Sequence, residues 1–137
     1  MKRDWDLIRK QLTAIEEEND LFSDIPPEPK WLNQDWDTYE KQLKEFQTIE
    51  GRICGHLELL IDAGYVDGVT IIRSLDGKFS CGIHSPRLTM VGHDLLDTMR
   101  STTIWEKIKA TAKSKGIELT FDAVKALGAF ALKSALE

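Results

Sequence analysis

The chain has 137 residues, 42% hydrophobic and 30% charged, a balance that fits one globular domain with its own core and excludes disorder, a collagen-like rod and a multi-domain enzyme. Its net charge of −5 is unevenly spread: residues 1–50 hold 7 Lys/Arg against 13 Asp/Glu, and residues 51–137 hold 11 against 10. A non-specific nucleic-acid coat needs a dense excess of cations and is excluded, whereas a local basic face is not.

Trp5, Ile8, Leu12 and Ile15 recur at helical spacing and predict a first helix from about Asp4 to Glu18, with Arg9, Lys10, Gln11 and Glu16 on its polar side. Between Asn19 and Asn33, Pro26, Pro27 and Pro29 stop regular structure, so this stretch is expected to be a loop, with the PxxP serving as a spacer. Trp36, Tyr39, Leu43 and Phe46 predict a short second helix. Thr48 offers an N-cap for a third that carries Ile49, Ile53, Leu57 and Leu60 inward, and the two would meet at a tight corner. Gly64 is placed to end that helix, because glycine tolerates the left-handed conformation just past a helix end.

VTIIRSL and KFSCGIHS flank Asp76-Gly77 and predict a β-hairpin of about seven residues per arm. After Pro86, Thr89 is expected to cap a helix burying Val91, Leu95 and Met99. Ser101 to Thr103 opens another with Ile104, Trp105, Ile108 and Ala112 inward, closed by Gly116. A last helix from Thr120 is apolar almost all round: Phe121, Val124, Leu127 and Ala131 form one stripe and leave Phe130 and Leu132 to either side.

This order predicts a mainly α protein with a β-hairpin, an α+β fold. Residues 1–101 would form a winged helix-turn-helix-like domain with a Pro-rich loop at 20–34. Residues 102–137 would form a C-terminal two-helix extension packed on it or on a partner.

The opening MKRDWDLIRKQLTAIEE, the segment GHLELLIDAGYVDG, the stretch RLTMVGHDLLDTMR and the following TIWEKIK resemble an uncharacterised bacterial and prophage-encoded family. Its members begin MKRDMDLIRKIL and carry yHLxLLxxAGLI, RLTxxGHxFLD and a Trp-Lys helix. The resemblance touches nearly the whole chain and implies a winged-helix-like fold on phages or mobile elements; it carries over no catalytic residue. The Pro- and Trp-rich stretch from Asp20 to Phe46 departs from the family pattern.

Two Cys and two His, in Cys54-Gly-His56 and Cys81-Gly-Ile-His84, match the ligand count of a structural zinc site. Their spacing on a helix and on opposite strand faces argues against convergence, so no metal and no cofactor are expected, and both cysteines are expected to be buried and reduced. No nucleophile elbow, HExxH motif or phosphate-cradling glycine loop is present, so no catalytic residues are expected. His93 is expected to hold the junction between hairpin and helix. A start of MKRDWD without an apolar core, and no apolar run near ~20 residues, lead to the expectation of a cytoplasmic protein with no membrane role.

The nucleic-acid candidates are Arg52 and His56 on the outward face of the third helix, beside Glu50 and Glu58, with Arg73, Lys78 and Arg87 on the hairpin and its flank. The partner-interface candidates are Trp31 and Trp36 in an acidic stretch, and Phe130 and Leu132 on the last helix, where Ala126, Gly128 and Ala129 would let a second copy approach closely. The expected function is a non-catalytic binding protein of phage type, foremost a DNA-binding regulator of duplex DNA and a homodimer. The alternative is a protein-interaction module, an inhibitor or adaptor.

Overall fold

The computed structural model describes residues 1–32 and 34–136; Asn33, where the predicted loop ends, and Glu137 lie outside them. The chain divides into two compact units, Met1–Thr89 and Met90–Glu137, a boundary one helix earlier than the sequence suggested.

In the first unit, α1 spans Trp5–Glu16. The Asp4 carboxylate caps it by accepting from the Leu7 N–H at 3.1 Å, satisfying one of the donors that a helix start leaves open. Trp5, Ile8, Leu12 and Ile15 are all buried, as their period requires, and each large side chain so placed contributes on the order of 1.5–3 kcal/mol. Gln11, expected on the polar side, is also buried, and its amide donates to the Ile53 carbonyl at 3.0 Å.

The largest departure follows. Residues Trp36–Asp62 form one continuous 27-residue helix, α2, where two helices and a corner were expected. No Gly or Pro stands between Trp36 and Thr48 to break it. Thr48 is not a cap: its hydroxyl donates back to the Lys44 carbonyl at 2.8 Å, a bond made inside a continuing helix. Asp35 caps the true start by accepting from the Thr38 N–H at 2.7 Å. The helix ends as expected, with Gly64 at φ +79 and the Tyr65 N–H reaching the Leu60 carbonyl at 2.9 Å.

Strands β1 (Val66–Arg73) and β2 (Phe79–Leu88) pair antiparallel, with Val66 opposite Leu88 and Arg73 opposite Phe79. A bulge interrupts the ladder between Asp67 and Val69. Gly68 at φ +80 makes it possible, since a Cβ there would lie 2.5 Å from the Ser85 carbonyl oxygen. The hairpin packs on α1 and α2 through Val66, Val69 and Leu88, while Ile72 and Leu75 toward its tip and Ile83 opposite Val69 are exposed.

In the second unit, α3 (Met90–Arg100), α4 (Thr102–Lys115) and α5 (Phe121–Leu136) pack pairwise around Leu95, Leu96, Met99, Trp105, Ile108 and Val124. Val91, expected inside, is exposed, and Gly92 takes the buried position. Ser101 caps α4, and Gly116 closes it in the left-handed conformation. Gly128 does not serve a second copy, because a Cβ there would come 2.2 Å from Thr98 Cγ2 of the same chain. The close approach is between α3 and α5.

Candidate functional site

The start of α1 and the middle of α2 meet at Asp4. Its side chain caps α1 and pairs with Arg52, and its backbone N–H donates to His56 Nε2 at 2.8 Å. Nε2 is therefore the unprotonated nitrogen, and Nδ1–H donates to the Arg52 carbonyl at 2.7 Å. Burial holds the His56 pKa below its ordinary value, so the ring is neutral. The expectation that His56 faces outward to read bases is thus corrected: it is fully buried, and it fastens the start of α1 to α2. Sequence periodicity offered no hint of Asp4, because its partners lie 48 and 52 residues away.

Arg52 itself stays on the surface, and the fold brings it together with Arg73. An open cleft of about 530 Å³ is lined by Met1, Lys2, Gln47, Thr48, Gly51, Arg52, Arg73 and Phe79, between α2 and the hairpin. Three cationic side chains line it and no carboxylate does. Arg73 is oriented there: its Nε and Nη2 fork onto Glu58, with the closest contact at 2.6 Å, and its guanidinium lies 5.1 Å from the Phe79 ring centroid. The Glu58 carboxylate raises the Arg73 pKa further. Lys2, Gln47, Thr48 and Phe79 were not among the expected site residues; only their three-dimensional neighbourhood marks them.

The other two basic candidates do not join this cleft. Lys78 is 3.5 Å from Glu28, and Arg87 is 2.7 Å from Asp67 at the base of the hairpin, where that pairing lowers the Asp67 pKa. Their ion pairs are exposed and weak individually. The first unit as a whole holds 11 Lys/Arg against 17 Asp/Glu, so the cleft is a local cationic feature in an acidic body.

Trp31 and Trp36, with Tyr39, form an aromatic cluster at the start of α2. The ring centroids are 5.0 Å apart for the two tryptophans, and Tyr39 lies 5.4 and 5.8 Å from them. Trp31 is 51% exposed and Trp36 57%, so the rings cover one another only in part. On α5, Phe130 is 67% and Leu132 54% exposed, to either side of the buried Val124 and Ala131.

The cysteines depart from expectation. Cys54 is buried on α2, but Cys81 is exposed on β2, and their sulfurs lie 3.7 Å apart. Burial first, then Cys81 and the carboxylates of Glu50 and Glu58, push the Cys54 thiol up to about 12, and burial raises Cys81 as well. With both His56 nitrogens engaged, this thiol pair is not part of a four-ligand set, and among the described residues no cluster of three or more metal-binding side chains occurs. Among the described residues, no helix is long and apolar enough to cross a membrane.

These features define a small α+β protein in which a two-stranded hairpin is braced against one long helix, with a cationic cleft between them. The chain belongs to the DUF2513 family, described as "Hypothetical protein (DUF2513)", whose pattern matches residues 2–118 and so stops short of α5. It is similar to an "Uncharacterized protein" of Haemophilus influenzae, 31% identical over 125 residues that cover 91% of this chain and 90% of that protein. No solved structure matches this chain.

Proposed function

We propose that this protein is a non-catalytic, winged-helix-like DNA-binding regulator of phage or mobile-element type that takes DNA at the cleft between α2 and the hairpin. The observation that carries this reading is the convergence of Arg52 and Arg73, each held by a carboxylate, with Lys2, Gln47 and Thr48 on one open surface. Helix residues Gln47, Thr48 and Arg52 would face base edges, while Lys2 and Arg73 would meet phosphates. Asp4 and Glu58, both partly buried, hold the two arginines in place and leave each arginine side chain more than half exposed to an incoming phosphate. His56, Lys78 and Arg87 have no part in this interface.

The test is a salt-titrated binding assay on mixed duplex DNA. Arg73→Ala and Lys2→Ala should each flatten the salt dependence by about one unit of slope, and Arg52→Ala should also lose sequence discrimination. Lys78→Ala and Arg87→Ala should change little. Binding that survives Arg52→Ala and Arg73→Ala together, or no binding at low salt, would overturn the proposal.

A second reading, a protein-interaction module, is favoured by the half-exposed Trp31, Trp36 and Tyr39 cluster, since rigid aromatic groups of this kind are the usual anchors of interfaces. Exposed Phe130 and Leu132 add a surface that a second copy could cover, making a homodimer. Measuring solution mass for wild type and for Phe130→Ser with Leu132→Ser separates the cases: a dimer should become a folded monomer. A wild-type monomer at high micromolar concentration would discard the dimer.

A further inference from the structure

We propose that Cys54 and Cys81 are a paired oxidation site, which a low-molecular-weight disulfide converts to an internal cystine tying α2 to β2 beside the cleft. The thiols come from different elements, 27 residues apart, and meet at 3.7 Å. A disulfide bond is ~2.05 Å, so the pair needs only a small closure. The contact is one of two successive steps along the same helix and strand. Gly51 stands one turn before Cys54, and Phe79 two residues before Cys81 on the same strand face; a Cβ at Gly51 would be 3.9 Å from the Phe79 ring. That is an ordinary van der Waals distance, so helix and strand are in normal packing contact one step before the sulfurs meet. The strand can also give, because from Ile72 to Lys78 the tip of the hairpin is exposed.

The two thiols have different exposures and hence different roles. Cys81, exposed, is the one a small reagent reaches, whereas buried Cys54 is closed to it. The Cys81 thiolate attacks one sulfur of the reagent RSSR, forming Cys81–S–S–R and expelling RS⁻, which takes up the proton Cys81 lost. The Cys54 thiolate then attacks Cys81 Sγ; the Cys81–SR bond breaks, and the second RS⁻ takes the proton from Cys54. Two protein thiols and one RSSR become one protein disulfide and two RSH, and two electrons pass from the protein to the reagent. A buried, protonated Cys54 has no reaction of its own with the reagent. It acts only on the neighbour that has already been modified.

The experiment treats the full chain with oxidised glutathione and follows intact mass. The wild type should end two hydrogens lighter with no glutathione attached, a peptide joining Cys54 to Cys81 should appear on digestion, and dithiothreitol should restore the starting mass. Cys54→Ala should stop as a stable mixed disulfide at Cys81, and Cys81→Ser should stay unmodified. Wild type that accumulates only the mixed disulfide, or Cys81→Ser that is modified as fast as wild type, would overturn the proposal. If Cys54→Ala does not fold, native hydrogen exchange on oxidised wild type decides. Amides of β1 and β2 next to Cys81 should exchange at least tenfold more slowly than in the reduced protein, and equal rates would sink the idea. No nucleic acid enters these measurements, so their outcome is independent of the cleft's ligand.

Discussion

The two halves of α2 obey the same helical geometry and have opposite fates. From Ile53 to Leu60 the helix buries Ile53, Cys54, Gly55, His56, Leu57 and Leu60 against α1 and the hairpin. From Trp36 to Ile49 it buries nothing, although Trp36, Tyr39, Leu43 and Phe46 repeat at helical spacing just as regularly. An apolar stripe states which face of a helix can be covered; whether anything covers it is decided by the rest of the chain. Here α1 and the hairpin cover one half, and the other is left with partly exposed rings among the charged side chains Asp37, Glu40, Lys41, Lys44 and Glu45.

The sharpest way to break this comparison is to delete methyl groups in each half. Leu57→Ala or Leu60→Ala should cost about 2–5 kcal/mol, because each leaves a cavity in a closed core, and Leu43→Ala should cost less than about 1 kcal/mol. Urea midpoints with unchanged slopes would measure both. Equal losses in the two halves would mean that the outer half is packed in solution.

Continuity of α2 can be tested at Thr48. A proline in a helix interior costs about 3 kcal/mol or more, but it is tolerated at a helix start, where the sequence pattern had put this residue as an N-cap. Thr48→Pro should therefore lower both helicity by circular dichroism and the urea midpoint. An unchanged protein would restore the corner between two helices.

His56 gives an effect of intermediate size with a pH signature. His56→Ala leaves the Asp4 N–H without its acceptor in a part-buried place and should cost about 1–3 kcal/mol. Because the folded-state pKa lies below 6.5, the unfolded chain binds the proton more readily. The stabilisation is complete above pH 6.5 and is lost as pH falls through the lower, folded-state value. Wild type should lose stability on acidification through this range, and His56→Gln should lose less; parallel curves would remove His56 as the cause.

The smallest expected effect lies in the outer half. Trp36→Ala should shift stability by no more than about 0.5 kcal/mol, since the ring is more than half exposed. If a protein partner docks there, the same substitution should weaken that complex strongly while the fold stays intact.

How much of this was legible beforehand follows the distance over which each feature is decided. The α+β order of helices around one hairpin, the stop at Gly64, the turn at Asp76-Gly77 and the left-handed close of α4 at Gly116 were all readable. Each depends on a few neighbouring residues and on the glycine freedom to take positive φ. Thr48 misled because the same hydroxyl can cap a helix start or bond back within a helix, and only a real break in the chain's direction would distinguish them.

In the candidate site, Arg52 and Arg73 were readable as long exposed cations, while their convergence was not. Lys2 comes from the chain start, the helix residues from the middle of α2 and Phe79 from the return strand. His56 looked like a surface residue because its apolar neighbours on the helix say nothing about a backbone N–H arriving from residue 4.

What the sequence determined by itself was therefore the set of elements, through hydrophobic period and turn chemistry that act within a few residues. What only the tertiary structure decided was burial of one half of α2, neutrality of His56, the fork that aims Arg73 and the meeting of Cys54 with Cys81. Each of these joins groups from separate elements, and no local pattern encodes which of many polar or sulfur-bearing side chains will find one another once the core has closed.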